Sequence, residues 1–259
     1  MDTYRFIPGS THLLVSIPHS GTFVPPGIAG RMTAGAQLLP DTDWHVDRLY
    51  DFLGEMGASV LIATHSRYVV DLNRPADNSP LYPGQTETGV CPVETFDGEP
   101  IWRPQQSPAG EEIPERISRY WQPYHDRLRA ELEQLRSRHG SAVLWDAHSI
   151  RSRVPRLFAG DLPVLNIGTN GGRSCDADLA ARLLAYADAL PKCTAVLNGR
   201  FQGGYITRSY GNPAGGFNAV QLELAQRSYM DEKSGEYLPD KARHIFATLQ
   251  SVIAIEAAN

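Results

Sequence analysis

Of the 259 residues only three are cysteines, Cys91, Cys175 and Cys193, and they lie far apart. They form neither a disulfide framework nor a CxxC metal knuckle, so a reducing, cytoplasmic setting is expected. No apolar run approaches the ~20 residues that span a bilayer. The opening segment MDTYRFIPGS lacks the basic cluster and apolar stretch of a secretory leader. Surplus positive charge is missing too. Against 24 Lys and Arg stand 29 Asp and Glu, a formal net charge of −5, which gives no electrostatic reason to expect nucleic-acid or anionic-membrane binding. There is no GxSxG elbow, no HExxH helix and no Lys-Ser/Thr after the glycine-rich GTNGG, so three common local signatures of catalysis are absent.

What remains is an ordinary globular composition, 42% hydrophobic and 20% charged, on a chain long enough to bury a sizeable core. Short apolar runs at 12–17, 58–63, 67–71, 141–146, 163–168, 193–198 and 219–225 read as strands. Several are continuous rather than alternating, as in strands covered on both faces. Helical spacing recurs at 46–57, 114–139, 175–190 and 239–255, with Pro123 expected to kink or split the second of these. Strands alternating with helices predict a three-layer α/β/α sandwich around a parallel or mixed sheet. No linker divides residues 1–259, so a single domain is expected. Residues 72–113, rich in Pro, Gly, Asp and Asn, break the rhythm. A loop of that length in a compact domain covers a site or forms a lid.

Ligands of open α/β sheets gather beyond the carboxyl ends of strands, so polar residues there are the candidates. The run HLLVSI ends in Pro18-His19-Ser20-Gly21, and SAVLWD ends in Asp146, His148 and Ser149. RYVVD leads to Asp71, Asn73 and Arg74, Glu223 interrupts the apolar run AVQLELA, and DTDWH supplies Asp41 and Asp43. Two imidazoles and one carboxylate suit a hydrolytic zinc site, with a further carboxylate as general base. His19 and His148 would be the imidazoles, Asp41 or Asp43 the third ligand, and Glu223 the base. Each residue has a plainer reading. A strand-end histidine can be a hydrogen-bonded turn residue, Asp43 or Thr42 a cap of the helix that follows, and Glu223 half of a buried ion pair. GTNGG could form an anion nest, Cys175 sits at a helix start, and Arg151, Arg153 and Arg156 form a solvated turn or attract an anion.

Taken together, PHSG, DTDWHVDRLYDF, SRYVVDLNRPAD, DAHSIRSRVP, LNGRFQGGYITRSYG and AVQLELAQRSYM resemble, in this order, the N-formylglutamate amidohydrolases. The resemblance spans residues from about 10 to 235 and implies one catalytic domain over 1–259 with a fold similar to the zinc carboxypeptidases. It implies hydrolysis of N-formyl-L-glutamate to formate and L-glutamate in histidine degradation, with one Zn2+ per chain. His19 and His148 match the zinc-binding histidines, and Asp43 falls where the wider superfamily places its carboxylate ligand, with Asp41 as the alternative. Glu223 matches the general base. Asn73 and Arg74 resemble the Asn-Arg pair that grips a substrate carboxylate. A dicarboxylate needs a second cation, for which Arg208 and Arg67 are the candidates. On this view Gly21 gives the backbone room to turn beside the metal. The runner-up is a zinc deacylase of another N-acyl amino acid or a small peptide amide. A metal-free binding protein has no use for the water-activating set.

Overall fold

The buried apolar runs assemble into one seven-stranded sheet: β1 (Tyr4–Ile7), β2 (Leu13–Ile17), β3 (Ser59–Ala63), β4 (Ala142–Ile150), β5 (Leu165–Gly168), β6 (Ala195–Leu197) and β7 (Phe217–Ala225). The computed structural model describes residues 1–81, 84–189 and 193–257. Across the sheet the order is β1-β3-β2-β4-β7-β5-β6. The central strands β3, β2, β4 and β7 run parallel, while β1 and β5 lie antiparallel to their inner neighbours. The sheet is therefore mixed. All residues of β2, β3 and β4 are buried, because helices cover both faces.

Those helices are α1 (Pro26–Ala29), α2 (Val46–Leu49), α3 (Glu112–Arg116), α4 (Gln122–His139), α5 (Ala177–Ala189), α6 (Tyr205–Tyr210) and α7 (Pro239–Ala257). On one face Val15, Trp145 and Leu222 pack with Leu183 of α5 and Leu249 of α7. On the other, Leu14, Leu144 and Ala219 pack with Leu128 and Leu132 of α4. This is the three-layer α/β/α sandwich that the alternating pattern predicts. Gly140 ends α4 at φ +86°, its N–H donating to the Arg136 carbonyl at 2.8 Å. A side chain there would be strained, and the turn feeds the chain directly into β4.

Two expectations are corrected. RYVVD, 67–71, is a buried turn rather than a strand, with Val69 N–H donating to the Ser66 carbonyl at 2.9 Å. Its apolar character reflects burial beneath the long excursion, which a strand pattern imitates. The 46–57 helix stops at Leu49 and resumes as a 3-10 turn, Asp51–Gly54, since apolar residues three apart serve either form. Strand β1 was not anticipated, as four residues are too short for a periodic signal. Finally, the expected helix end at 190 lies outside the described residues. Pro123 does split its helix: α3 passes through a π-helical turn, Ile117–Trp121, into α4, whose first turn takes the proline. The described part of 72–113 is a tied-down cover, with Phe96, Ile101 and Trp102 buried.

Candidate active site

One face of the two central strands changes character along its length. On β4 the sequence Ala142, Leu144, Asp146, His148 shares a face, and on β7 Ala219, Gln221, Glu223 does so. Parallel pairing sets Leu144 beside Ala219, Asp146 beside Gln221 and His148 beside Glu223. The first residues belong to the core under α4, and the last form the floor of a cleft at the carboxyl ends of the strands. That cleft is lined by both charged and apolar side chains, among them Asp43, Phe96 and Phe201, the mixture found in small-molecule sites. His19 reaches the same cleft from the end of β2, where its carbonyl accepts from Asp43 N–H at 3.1 Å. Gly21 is needed for a different reason than a turn beside a metal. A Cβ there would stand 2.4 Å from the His65 carbonyl oxygen, because the segment docks onto residues 64–66 through Phe23 N–H to Thr64 and Ser66 N–H to Phe23.

Three buried donor atoms converge here. His19 Nδ1 and His148 Nδ1 are 3.1 Å apart, His148 Nδ1 lies 3.1 Å from Asp43 Oδ2, and His19 Nδ1 lies 3.8 Å from it. Ligand atoms of a tetrahedral zinc, with bonds of about 2.0–2.1 Å, stand about 3.3 Å from one another. The measured edges bracket that figure, so the donor set fits such an ion in chemistry and in spacing. Each imidazole is backed by a carboxylate on its other nitrogen: His19 Nε2 meets Asp71 at 2.8 Å and His148 Nε2 meets Asp146 at 3.1 Å. Such partners fix the tautomer that leaves Nδ1 to face the centre.

The local electrostatics follow from burial and these pairings. Burial and the Arg67 charge lower the His19 pKa in spite of Asp71. Burial would lower His148 as well, but Asp146 and Asp43 carry it well above its ordinary value. Asp43 would be raised by burial, yet the His148 hydrogen bond and the neighbouring cations hold it below the usual carboxylate range. Burial lifts Glu223 to about 8, only partly offset by His148. A carboxyl group titrating near neutrality can both take and return a proton.

Asp41 is placed elsewhere. Its Oδ2 accepts from Tyr68 Oη at 2.7 Å and from Phe96 N–H at 2.9 Å, so it ties the cover to the sheet. Asp43 caps no helix: His45 occupies the cap position of α2 without a side-chain bond, and Asp43 accepts from Ser149 N–H instead. Asn73 lines the cleft with its amide engaged. Oδ1 accepts from Ile206 N–H at 2.8 Å, and Nδ2 lies 3.0 Å from His148 Nε2 and 3.3 Å from Asp146. Gly204 lets Asn73 approach, since a Cβ there would meet its amide at 2.4 Å. Arg74 lines the cleft, held by Thr88 and by the Asn73 carbonyl. Arg67 also lines it, locked by Asp71 at 3.2 Å and Asp43 at 3.7 Å, with Nη2 2.8 Å from His19 Nδ1. Arg208 bonds the Gly203 and Leu81 carbonyls and does not contribute to the lining, whereas Arg200 does.

Sequence reasoning passed over Asp71 and Asp146 as partners of the histidines, although both were visible at the ends of the apolar runs RYVVD and SAVLWD. Arg200 lies just past β6 and was open to the same rule. Among the other candidates, Ser149 bonds Tyr229 Oη at 2.7 Å, with no base beside it in triad fashion. The GTNGG turn is closed by Asn198 Oδ1, which accepts from Thr169 and Gly171 N–H, and Cys175 is buried. Arg151, Arg153 and Arg156 pair with Asp97, Asp161 and Glu94.

Comparison with known proteins agrees with this architecture. An N-formylglutamate amidohydrolase family model matches residues 11–230. N-formylglutamate deformylase of Pseudomonas aeruginosa is 50% identical over 253 residues, covering 97% of this chain and 95% of the relative. That of Pseudomonas putida is 50% identical over 227 residues, covering 88% and 85%. An N-formylglutamate amidohydrolase from Ralstonia eutropha JMP134 superposes with a TM-score of 0.81 at 26% identity over all of both chains. A protein from Agrobacterium tumefaciens shares the fold at a TM-score of 0.73, covering 98% of this chain and 96% of its own. With the family model matching residues 11–230 and half of all aligned residues identical to those of the two deformylases, the chain belongs to the N-formylglutamate amidohydrolase family.

Proposed function

We propose that this chain is a single catalytic domain that hydrolyses N-formyl-L-glutamate to formate and L-glutamate, with one zinc ion per chain held by His19, Asp43 and His148. The observation that carries the reading is the buried triangle of two Nδ1 atoms and one carboxylate oxygen, opening into a cleft that also holds Glu223 and arginines. The relatives named N-formylglutamate deformylase supply the substrate. We assign the reaction to histidine degradation in the cytoplasm. Free thiols at Cys91, Cys175 and Cys193 suit a reducing compartment, and among the described residues no helix is long and apolar enough to cross a membrane.

A formamide is a poor electrophile because resonance feeds nitrogen density into its carbonyl. When bound, the ion supplies Lewis acidity that polarises that carbonyl and acidifies water. Glu223, on the floor of the cleft, takes one proton from water as oxygen bonds to the formyl carbon. It delivers that proton to the nitrogen as the C–N bond breaks, giving formic acid and the amine, which exchange a proton to leave as formate and the ammonium form of L-glutamate. The positive charge of Arg67, fixed by Asp71 and Asp43, would offset the negative charge that the carbonyl oxygen gains. Asn73 donates its amide N–H to Asp146, the carboxylate that holds His148. Arg74 grips the carboxylate nearest the scissile bond through paired, charge-assisted hydrogen bonds. Arg208 positions the 203–204 backbone through the Gly203 carbonyl.

The direct test is formate release from N-formyl-L-glutamate, with and without a chelator. Substrate-specific release that chelation abolishes and zinc restores supports the reading. Equal turnover of N-acetyl amino acids would replace it with a general deacylase. Arg74→Lys keeps the charge but loses the planar fork and should be impaired, with Arg74→Ala worse. Truncating one partner of a desolvated charge pair costs about 2–5 kcal/mol, a loss of roughly 30- to several-thousand-fold in kcat/KM, with zinc content unchanged. Asp41→Asn provides the contrast. It weakens the bonds to Tyr68 and Phe96 but leaves the donor triangle intact, so the melting temperature should fall by an amount equivalent to about 1–3 kcal/mol while zinc per chain stays the same. Loss of zinc in that variant would move the third ligand to Asp41.

A further inference from the structure

Three arginines line the cleft, Arg67, Arg74 and Arg200, and their surroundings divide the work among them. Arg67 is bound into the metal-donor cluster by Asp71, Asp43 and the Asp41 carbonyl. Arg74 is joined to that cluster through Asn73, whose carbonyl it bonds at 3.0 Å and whose amide N–H donates to Asp146, the partner of His148. Arg200 is held differently. Its Nε donates to the Leu157 carbonyl at 2.7 Å, fixing the stem, and its Nη2 lies 3.4 Å from the Thr86 carbonyl. The latter is longer than the usual 2.9–3.0 Å and runs to a neutral acceptor. Exchanging such a contact for a carboxylate gives a charge-assisted bond about twice as strong.

We propose that Arg200 is the specificity residue that binds the side-chain carboxylate of the substrate. This rests on the proposed function, since only a dicarboxylic N-formyl amino acid needs it. Leu157, Phe201 and Arg200 line the same cleft as the donor triangle and Arg74, so a substrate whose formyl group meets the triangle and whose α-carboxylate meets Arg74 has that wall left for its side chain. The guanidinium stacks above Phe201, 5.5 Å from the ring centroid, and the fork on a fixed stem matches the plane of a carboxylate. Glu87 also faces the cleft, its Oε2 accepting from Leu81 N–H at 3.2 Å, so a dianion needs a cation on this side to enter at all. Arg200 therefore does for the outer carboxylate what Arg74 does for the inner one. Selectivity arises because a neutral side-chain amide cannot return the paired, charge-assisted bonds that a carboxylate gives to the guanidinium.

The test compares N-formyl-L-glutamate with N-formyl-L-glutamine, which is nearly identical in shape but neutral at the side chain. In wild-type protein the glutamate substrate should be strongly preferred. Arg200→Ala should lower kcat/KM for N-formyl-L-glutamate by roughly 30- to several-thousand-fold, chiefly through KM, and change the value for the glutamine substrate by less than about threefold. Arg200→Lys should recover part of the preference, whereas Arg208→Ala should leave the ratio of the two substrates unaltered. Zinc content and melting temperature of each variant report whether it is folded. An equal loss on both substrates, or no loss on either, overturns the assignment of Arg200. Transfer of the preference to Arg208→Ala overturns it in favour of that residue. Wild-type protein that releases no formate from N-formyl-L-glutamate overturns the proposed function itself, and with it this inference.

Discussion

His148→Ala should remove zinc and activity together. The side chain closes two edges of the donor triangle, 3.1 Å from His19 Nδ1 and 3.1 Å from Asp43 Oδ2, so truncation leaves two ligands where three are needed. Bound metal should fall from about one ion per chain to near zero. Lewis-acid stabilisation worth several kcal/mol goes with it, a loss of at least ~10³-fold in kcat at 1.36 kcal/mol per decade. His19→Ala and Asp43→Ala should match. A variant that kept full zinc and turnover would remove its residue from the coordination sphere. The backing carboxylates offer a graded control: Asp71→Asn and Asp146→Asn should weaken metal affinity by about 10–100-fold without abolishing it. In metal-free protein Asp146 and Asp43 keep His148 protonated above its ordinary range. Zinc must displace that proton, so uptake should acidify a weakly buffered solution and affinity should rise with pH. Uptake with no proton release would contradict a neutral His148 ligand.

Glu223→Gln separates chemistry from metal binding. Glutamine keeps the size and much of the hydrogen bonding of the acid but cannot accept a proton from water. Zinc content should be normal and kcat lower by on the order of 10²-fold or more, the range for a positioned general base. Near-normal turnover by a zinc-loaded variant would end the assignment. Stability supplies an independent readout. Burial lifts the folded-state pKa of Glu223 from 4.5 to about 8, so the folded chain retains a proton that the unfolded chain has released across that interval. Its contribution is fully present below 4.5 and declines as pH rises toward 8. In chelated protein, Glu223→Gln should flatten this decline. An unchanged pH profile would mean that Glu223 does not titrate in the burial described.

The sandwich was legible because apolar runs buried on both faces are continuous, as in LLVSI and SVLIA, and the helices between them carry 3.6-residue stripes. The donor set was legible because polar residues interrupt those runs at strand ends. What escaped was whatever depends on neighbours remote in sequence. RYVVD mimics a strand since Tyr68 and Val69 are buried by the excursion, an event no local window registers. Asp41 and Asp43 are equivalent as residue types two positions apart, and only their partners, Tyr68 and Phe96 for one and His148 for the other, distinguish them. Arg208 and Arg200 differ in the same way. Both follow the last short strand before β7, and which one meets the cleft is decided by packing against Leu157 and Leu81.

The triangle draws on both halves of the chain, with Asp43 and His148 separated by 105 positions. During synthesis at about 5–20 residues per second, His19 and Asp43 therefore wait roughly 5–20 s for their partner to be translated, and Glu223 follows later still. Through that interval the nascent chain carries one imidazole and one carboxylate of the donor triangle, His19 and Asp43, but no complete chelate. On the proposed zinc assignment, metal capture is a closing event that fastens the amino-terminal strands to the later ones, and a cell short of zinc would hold finished polypeptide with that last clasp undone.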